Sequence, residues 1–237
     1  MARAQSVKDF LLSCADPEKA TFLPKFFRAY PGGNGDGDKF IGVAVPEQRK
    51  VAKKYYKDIS LAETGELLRD SVHECRLTAL FILILKYGRA KTAAEQQAIV
   101  SLYLDNIGQI NNWDLVDASA AQILGAHLAD KDKTLLYEFA RSGDLWRQRI
   151  AVIATFRFIR AGGYEDTLRI AGVLLDHRHD LIHKAVGWML REVGKRDFTV
   201  EYAFLQEHYR RMPRTMLRYA IEKLPKEMRR RFLRGEI

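Results

Sequence analysis

Four stretches of this chain resemble one another, and their spacing constrains the fold more than any other feature. RLTALFILILKYG, WDLVDASAAQILG, RQRIAVIATFRFIRAG and HKAVGWMLREVGKRD each open on a polar or aromatic residue and continue into an apolar run. Their starts fall about 36 residues apart, the interval of a helix pair in a repeat array. RTMLRYAIEKL reads as a shorter final copy. Within the copies the apolar residues recur at helical period, as in Leu77, Leu80, Phe81, Ile84 and Tyr87, or near one face in Ile150, Ile153, Phe156 and Phe158. Strand-like alternation is missing. A single helix pair cannot bury its apolar face alone, so the expected architecture is an all-α superhelical solenoid spanning residues 1–237 as one domain, with inner helices lining a concave groove. An irregular helical domain is the alternative.

Ahead of the repeats, FLLSC and PEKATFLPKFFRAY read as two short helices, and Pro46 and Glu47 open a third. Between them lies the glycine-rich segment 31–39. GGNGDGD carries two acidic residues, lacks a GK[ST] ending and follows no strand, so it reads as a mobile connection and not a phosphate loop. With 237 residues, 47% hydrophobic and 29% charged, the chain has enough apolar material for a continuous core. No apolar run approaches the roughly 18 residues of a membrane helix, and the start has no signal-peptide pattern; a soluble cytoplasmic monomer is expected. Cys14 and Cys75 lack CxxC spacing and are expected to be buried thiols. The six histidines form no ligand pattern, and DHRHDLIH is read as an inter-helix turn, so no metal is expected.

Charge divides unevenly. Residues 1–140 hold 18 Lys/Arg against 18 Asp/Glu, whereas residues 141–237 hold 21 against 12, so the whole surplus of +9 lies in the C-terminal part. Seventeen of those 21 cations are arginine, whose planar fork suits phosphate. A polyanionic partner follows, although charge alone does not separate DNA from RNA or an acidic protein.

The repeat register then places particular side chains together. Trp113 and Asp117, at i and i+4, project from one face of a helix. Arg147 and Arg149 stand near the start of the next unit, with Arg157 two turns beyond Arg149, and the following unit presents Lys184, Trp188 and Arg191 on one face. An acid among cations is odd for a plain phosphate groove, because it repels the backbone. Asp114 is read as a charge complementing the helix N-terminus.

The motifs KFIGVAVPEQR, NNWDLVD, LWRQRIAV, HKAVGWMLREVGK and MPRTMLRYAIEKL, in this order, resemble the AlkD-type DNA alkylpurine glycosylases, repair proteins built from HEAT-like repeats. The resemblance spans nearly the whole chain. It implies that Asp117 is the catalytic carboxylate, that Trp113 and Trp188 flank the lesion, and that Arg149 is held near the reacting nucleotide. It further implies phosphate contacts from Arg157 and Arg191, with Lys184, Arg147 and Arg49 as additional DNA-binding candidates, and an aromatic contribution from Phe26. Monofunctional release of 3-methyladenine or 7-methylguanine from double-stranded DNA, leaving an abasic site and using no cofactor, is the implied activity.

The chemistry suits those residues. Alkylation at a ring nitrogen makes a purine cationic and a good leaving group, and a fixed anion stabilises the oxocarbenium-like sugar left behind. Indole faces attract the cation by roughly 0.5 to 2 kcal/mol each. Two positions depart from the family pattern: Asn112 stands where a second tryptophan can occur, and Ala44 where a polar side chain can occur. The rival expectation is a non-catalytic helical-repeat module that binds nucleic acid structure or a protein partner.

Overall fold

The computed structural model describes residues 3–237. They are helical, with no strand among them beyond an isolated bridge between Lys39 and Val72. The chain forms two compact units, Met1–Ser119 and Ala120–Ile237.

In the first unit, α1 (Ala4–Ser13), α2 (Pro17–Phe26), α3 (Val45–Tyr55), α4 (Leu61–Leu68), α5 (His73–Tyr87), α6 (Ala93–Asp105) and α7 (Trp113–Ser119) follow in order. Local chemistry sets their starts. Asp16 accepts the backbone N–H groups of Glu18 and Lys19 ahead of Pro17, Ser60 caps α4, and Thr92 with Glu95 forms a reciprocal capping box on α6. The helix α5 is the unit's axis: everything from His73 to Leu83 is buried, and α3, α4, α6 and α7 pack on it. By contrast α2 buries none of its residues and leaves Phe22 and Phe26 exposed.

The second unit opens with a π turn, Ala121–Gly125, and continues through α8 (Ala126–Leu128), α9 (Thr134–Arg141), α10 (Leu145–Ala154), α11 (Phe156–Arg160), α12 (Glu165–Val173), α13 (Asp180–Gly194), α14 (Phe198–His208), α15 (Arg214–Ala220) and α16 (Lys226–Arg234). Its most closely packed pairs are α13–α15, α9–α10, α10–α13 and α13–α14. Two glycines let backbones approach. A methyl group on Gly187 of α13 would lie 2.4 Å from the Met216 carbonyl oxygen on α15, and one on Gly125 would lie 2.3 Å from that of Ala154. Serial helix pairs of this kind are what the 36-residue recurrence predicts.

One local expectation changes: Cys75 is fully buried and burial pushes its thiol up to about 12, but Cys14 is only half-buried. The segment DHRHDLIH links α12 to α13 as an inter-helix turn, in which His179 Nδ1 caps α13 by accepting the Leu181 N–H at 3.1 Å and His177 Nε2 stands 3.0 Å from Gln148 Oε1. The glycine-rich segment is tethered at its end, where Lys39 N–H donates to the Ser71 carbonyl at 3.1 Å and the Lys39 carbonyl accepts from His73 N–H at 2.8 Å. Among the described residues no helix is long and apolar enough to cross a membrane.

Candidate active site

In the first unit, α7 is short and its residues sort by face. Leu115, Val116 and Ser119 are buried, while Trp113 and Asp117 are half-buried one turn apart. The Trp113 indole belongs to an aromatic cluster. Phe27 stacks on it with centroids 5.4 Å apart and planes at 22°, and Phe26 meets it edge-on at 5.9 Å. Phe27 stacks in turn on Phe40 at 5.2 Å, and both lie within 5 Å of the His73 ring. Together Leu23, Phe26, Phe27, Phe40, Trp113 and Asp114 line a largely apolar cleft of about 390 Å³.

Beneath the aromatics sits a buried ionic network that sequence reasoning missed. His73 Nδ1 is 2.8 Å from Asp38 Oδ2, and His73 Nε2 is 2.8 Å from Asp114 Oδ2. Arg76 donates to Asp38 Oδ1 at 2.5 Å and to Asn111 Oδ1 at 3.3 Å. His73 and Asp38 are each 2% exposed and Arg76 is 4% exposed. Burial alone would lower the His73 pKa, but the charge and hydrogen bond of Asp114, joined by those of Asp38, raise it to about 9. Burial raises the Asp38 carboxyl as well, yet the His73 hydrogen bond and the Arg76 charge hold it below its ordinary value. At neutral pH the ring is therefore an imidazolium that donates from both nitrogens. Asp114 is thus the acceptor of a buried cation, a more specific role than a helix-terminus charge.

That shift carries a pH dependence. Because the folded-state pKa lies above the ordinary 6.5, the protonated ring contributes stability that is complete below about pH 6.5 and is lost as pH rises through about 9. The expected loss is about 3 kcal/mol across that window, and urea unfolding from about pH 6 to pH 10 measures it. His73→Gln should remove this component of the slope.

The departures from the family pattern have clear positions. Asn112 is fully buried; its Oδ1 accepts the Trp113 N–H at 2.9 Å and its Nδ2 lies close against Gly35 of the glycine-rich segment. Ala44 lines the cleft at the start of α3. Arg49 stands apart from the aromatic cluster, its guanidinium 4.0 Å over the Phe81 ring.

In the second unit, Arg149 is buried and donates from Nη1 to the Leu181 carbonyl, linking α10 to α13. Trp188 on α13 is half-buried, with its indole N–H 3.3 Å from Glu192 Oε1 and its ring 6.1 Å from Phe156. Two of the expected phosphate contacts already have carboxylate partners: Lys184 with Asp180 at 2.7 Å and Arg191 with Glu222. Arg147 and Arg157 are exposed, and among the described residues neither pairs with a carboxylate. Trp113, Asp117 and Phe26 therefore belong to one unit, and Arg147, Arg149, Arg157, Lys184, Trp188 and Arg191 to the other.

Comparison with known proteins bears on this arrangement. A predicted DNA alkylation repair enzyme from Enterococcus faecalis shares the fold, with a TM-score of 0.72 and 18% identity over 90% of this chain and 97% of that one. No curated protein matches the chain. The profile of the DNA alkylation repair enzyme family matches residues 7–224, so nearly every element described above falls inside it. The chain belongs to the DNA alkylation repair enzyme family.

Proposed function

We propose that the protein is a monofunctional DNA glycosylase that hydrolyses the N-glycosidic bond of cationic N3- or N7-alkylated purines in duplex DNA and leaves an abasic site. The observation that carries this reading is the pairing on α7 of a partly exposed indole, backed by Phe26 and Phe27, with a carboxylate one turn away. Aromatic faces favour a cationic base, and an anion beside them favours the positive charge that develops on the sugar as the base departs. In this reading Asp117 supplies that anion and either stabilises the sugar cation or orients the attacking water. In the second unit Trp188 offers a half-buried indole face, and Arg157 and Arg147 offer exposed positive charge for phosphates. A neutral purine gains none of the cation contact and has a stronger glycosidic bond, so part of the selectivity lies in the lesion.

The test is release of free 7-methylguanine and 3-methyladenine from methylated duplex DNA by the purified protein, read by chromatography of the liberated bases. Release with accumulation of abasic sites supports the reading. Salt-sensitive DNA binding with no release of either base would replace it with a module that recognises DNA without cutting.

A further inference from the structure

We propose that His73 is a positioning residue for base excision: its ring, in hydrogen-bond contact at both nitrogens, ties Asp38 of the glycine-rich segment to Asp114 in the first turn of α7, and so sets the orientation in which Trp113 and Asp117 are presented. This rests on the glycosylase reading and adds a control that the reading does not contain.

The argument is geometric. The orientation of α7 comes from its packing on α5 and from what grips its first turn. Three contacts grip it. Asp114 accepts from His73 Nε2 at 2.8 Å, Asn111 accepts from Arg76 at 3.3 Å, and the Trp113 ring lies on Phe27. His73 takes part twice, because Phe27 and Phe40 also lie against its ring with centroids 4.9 Å and 4.8 Å away. Trp113 lies between the gripped Asn111 and Asp114, and Asp117 lies one turn further on, so rotating the first turn moves both functional side chains together.

The charges around the ring are few and are all accounted for. Asp38 and Asp114 flank it, Arg76 reaches it only through Asp38, Glu74 spends its carboxylate on the Ile41 and Gly42 N–H groups, and Lys19 stands at the cleft wall. When the ring loses its proton it keeps one donor for two carboxylates. One of the two bonds must then break. If the Asp114 bond goes, the first turn of α7 loses its tie to His73; if the Asp38 bond goes, Asp38 still holds Arg76.

The test uses the full chain labelled with 5-fluorotryptophan, whose three fluorine resonances are assigned with Trp113→Phe and Trp188→Phe. In the wild type the Trp113 resonance should titrate with a midpoint near pH 9. In His73→Arg, where a permanent cation can reach both carboxylates, that titration should vanish while excision at neutral pH is retained within about threefold. His73→Gln should lose about 10- to 100-fold in the rate of excision with little change in affinity for DNA, the scale expected when a reacting group is displaced by about 1 Å. The ratio of His73→Arg to wild-type excision should rise between about pH 7 and pH 9.5, a comparison that cancels any effect of pH on the DNA.

Should His73→Gln fail to fold, Asp114→Asn keeps the shape and removes one charge, and it should move the Trp113 midpoint down toward the ordinary histidine range. A Trp113 resonance indifferent to pH and to these substitutions, or His73→Gln excising at the wild-type rate, overturns the proposal. If the wild type releases no base, the glycosylase reading falls, and the fluorine titration alone then decides whether His73 sets Trp113.

Discussion

Asp117→Asn is expected to lower the rate of 7-methylguanine release by about 10²- to 10³-fold, the size of effect seen when a group that stabilises transition-state charge is removed. The substitution keeps the shape of a half-buried side chain on α7 while it removes the charge and turns one acceptor oxygen into a donor. Binding should move the other way. Removing a carboxylate that faces a polyanion relieves repulsion, so affinity for undamaged duplex is expected to stay level or rise, and single-turnover excision separates that change from the chemical step. A merely structural Asp117 predicts a different pair of results: weaker binding and slower excision together, with a lowered unfolding midpoint. Excision by Asp117→Asn at the wild-type rate would remove the carboxylate from the mechanism and leave Trp113 and its phenylalanines as a binding surface for some other group's chemistry.

The parts of this site that local spacing could reveal are those that one helix determines. Trp113 and Asp117 are four residues apart, and the helical period alone puts them on one face. Phe26 is legible as an aromatic contributor, but Phe27 is not, because KFFRAY offers two adjacent rings and nothing local decides which stacks on the indole; in the structure both do, one flat and one edge-on. The ionic network lay out of reach for a different reason. Asp38, His73, Arg76 and Asp114 are brought together from positions 35 to 41 residues apart, and no periodicity reports such pairings. One signal was present. HECR introduces His73, Glu74 and Arg76 at the head of a helix whose next seven residues are all buried, and charges in such a place require partners. Arg149 carries the same lesson in the second unit: the motif LWRQR marks it as important, but only the packing of α10 on α13 shows it buried and bonded to the Leu181 carbonyl.

The same network makes Arg76 the most consequential position for stability. Its guanidinium is 4% exposed and supplies Asp38 Oδ1, the Asp70 carbonyl at 3.2 Å and Asn111. Arg76→Met keeps the volume of the aliphatic stem and deletes the cation. Asp38 then faces a buried site with His73 as its one cationic neighbour, a neighbour it shares with Asp114. Breaking a buried pair by removing one partner costs about 3 to 5 kcal/mol, because the surviving charge keeps its desolvation penalty without its compensation. Two changes should ease that loss. Asp38→Asn in the Arg76→Met background removes the stranded charge, so the double variant is expected to be more stable than Arg76→Met alone, a coupling that a double-mutant cycle measures by urea unfolding. Lowering the pH toward the ordinary carboxyl range should also help Arg76→Met relative to the wild type, because a neutral Asp38 no longer needs the guanidinium. A loss below about 1 kcal/mol, or a double variant with purely additive losses, would mean that the Arg76–Asp38 contact is an incidental pairing and that the glycine-rich segment is held on α5 by its other bonds.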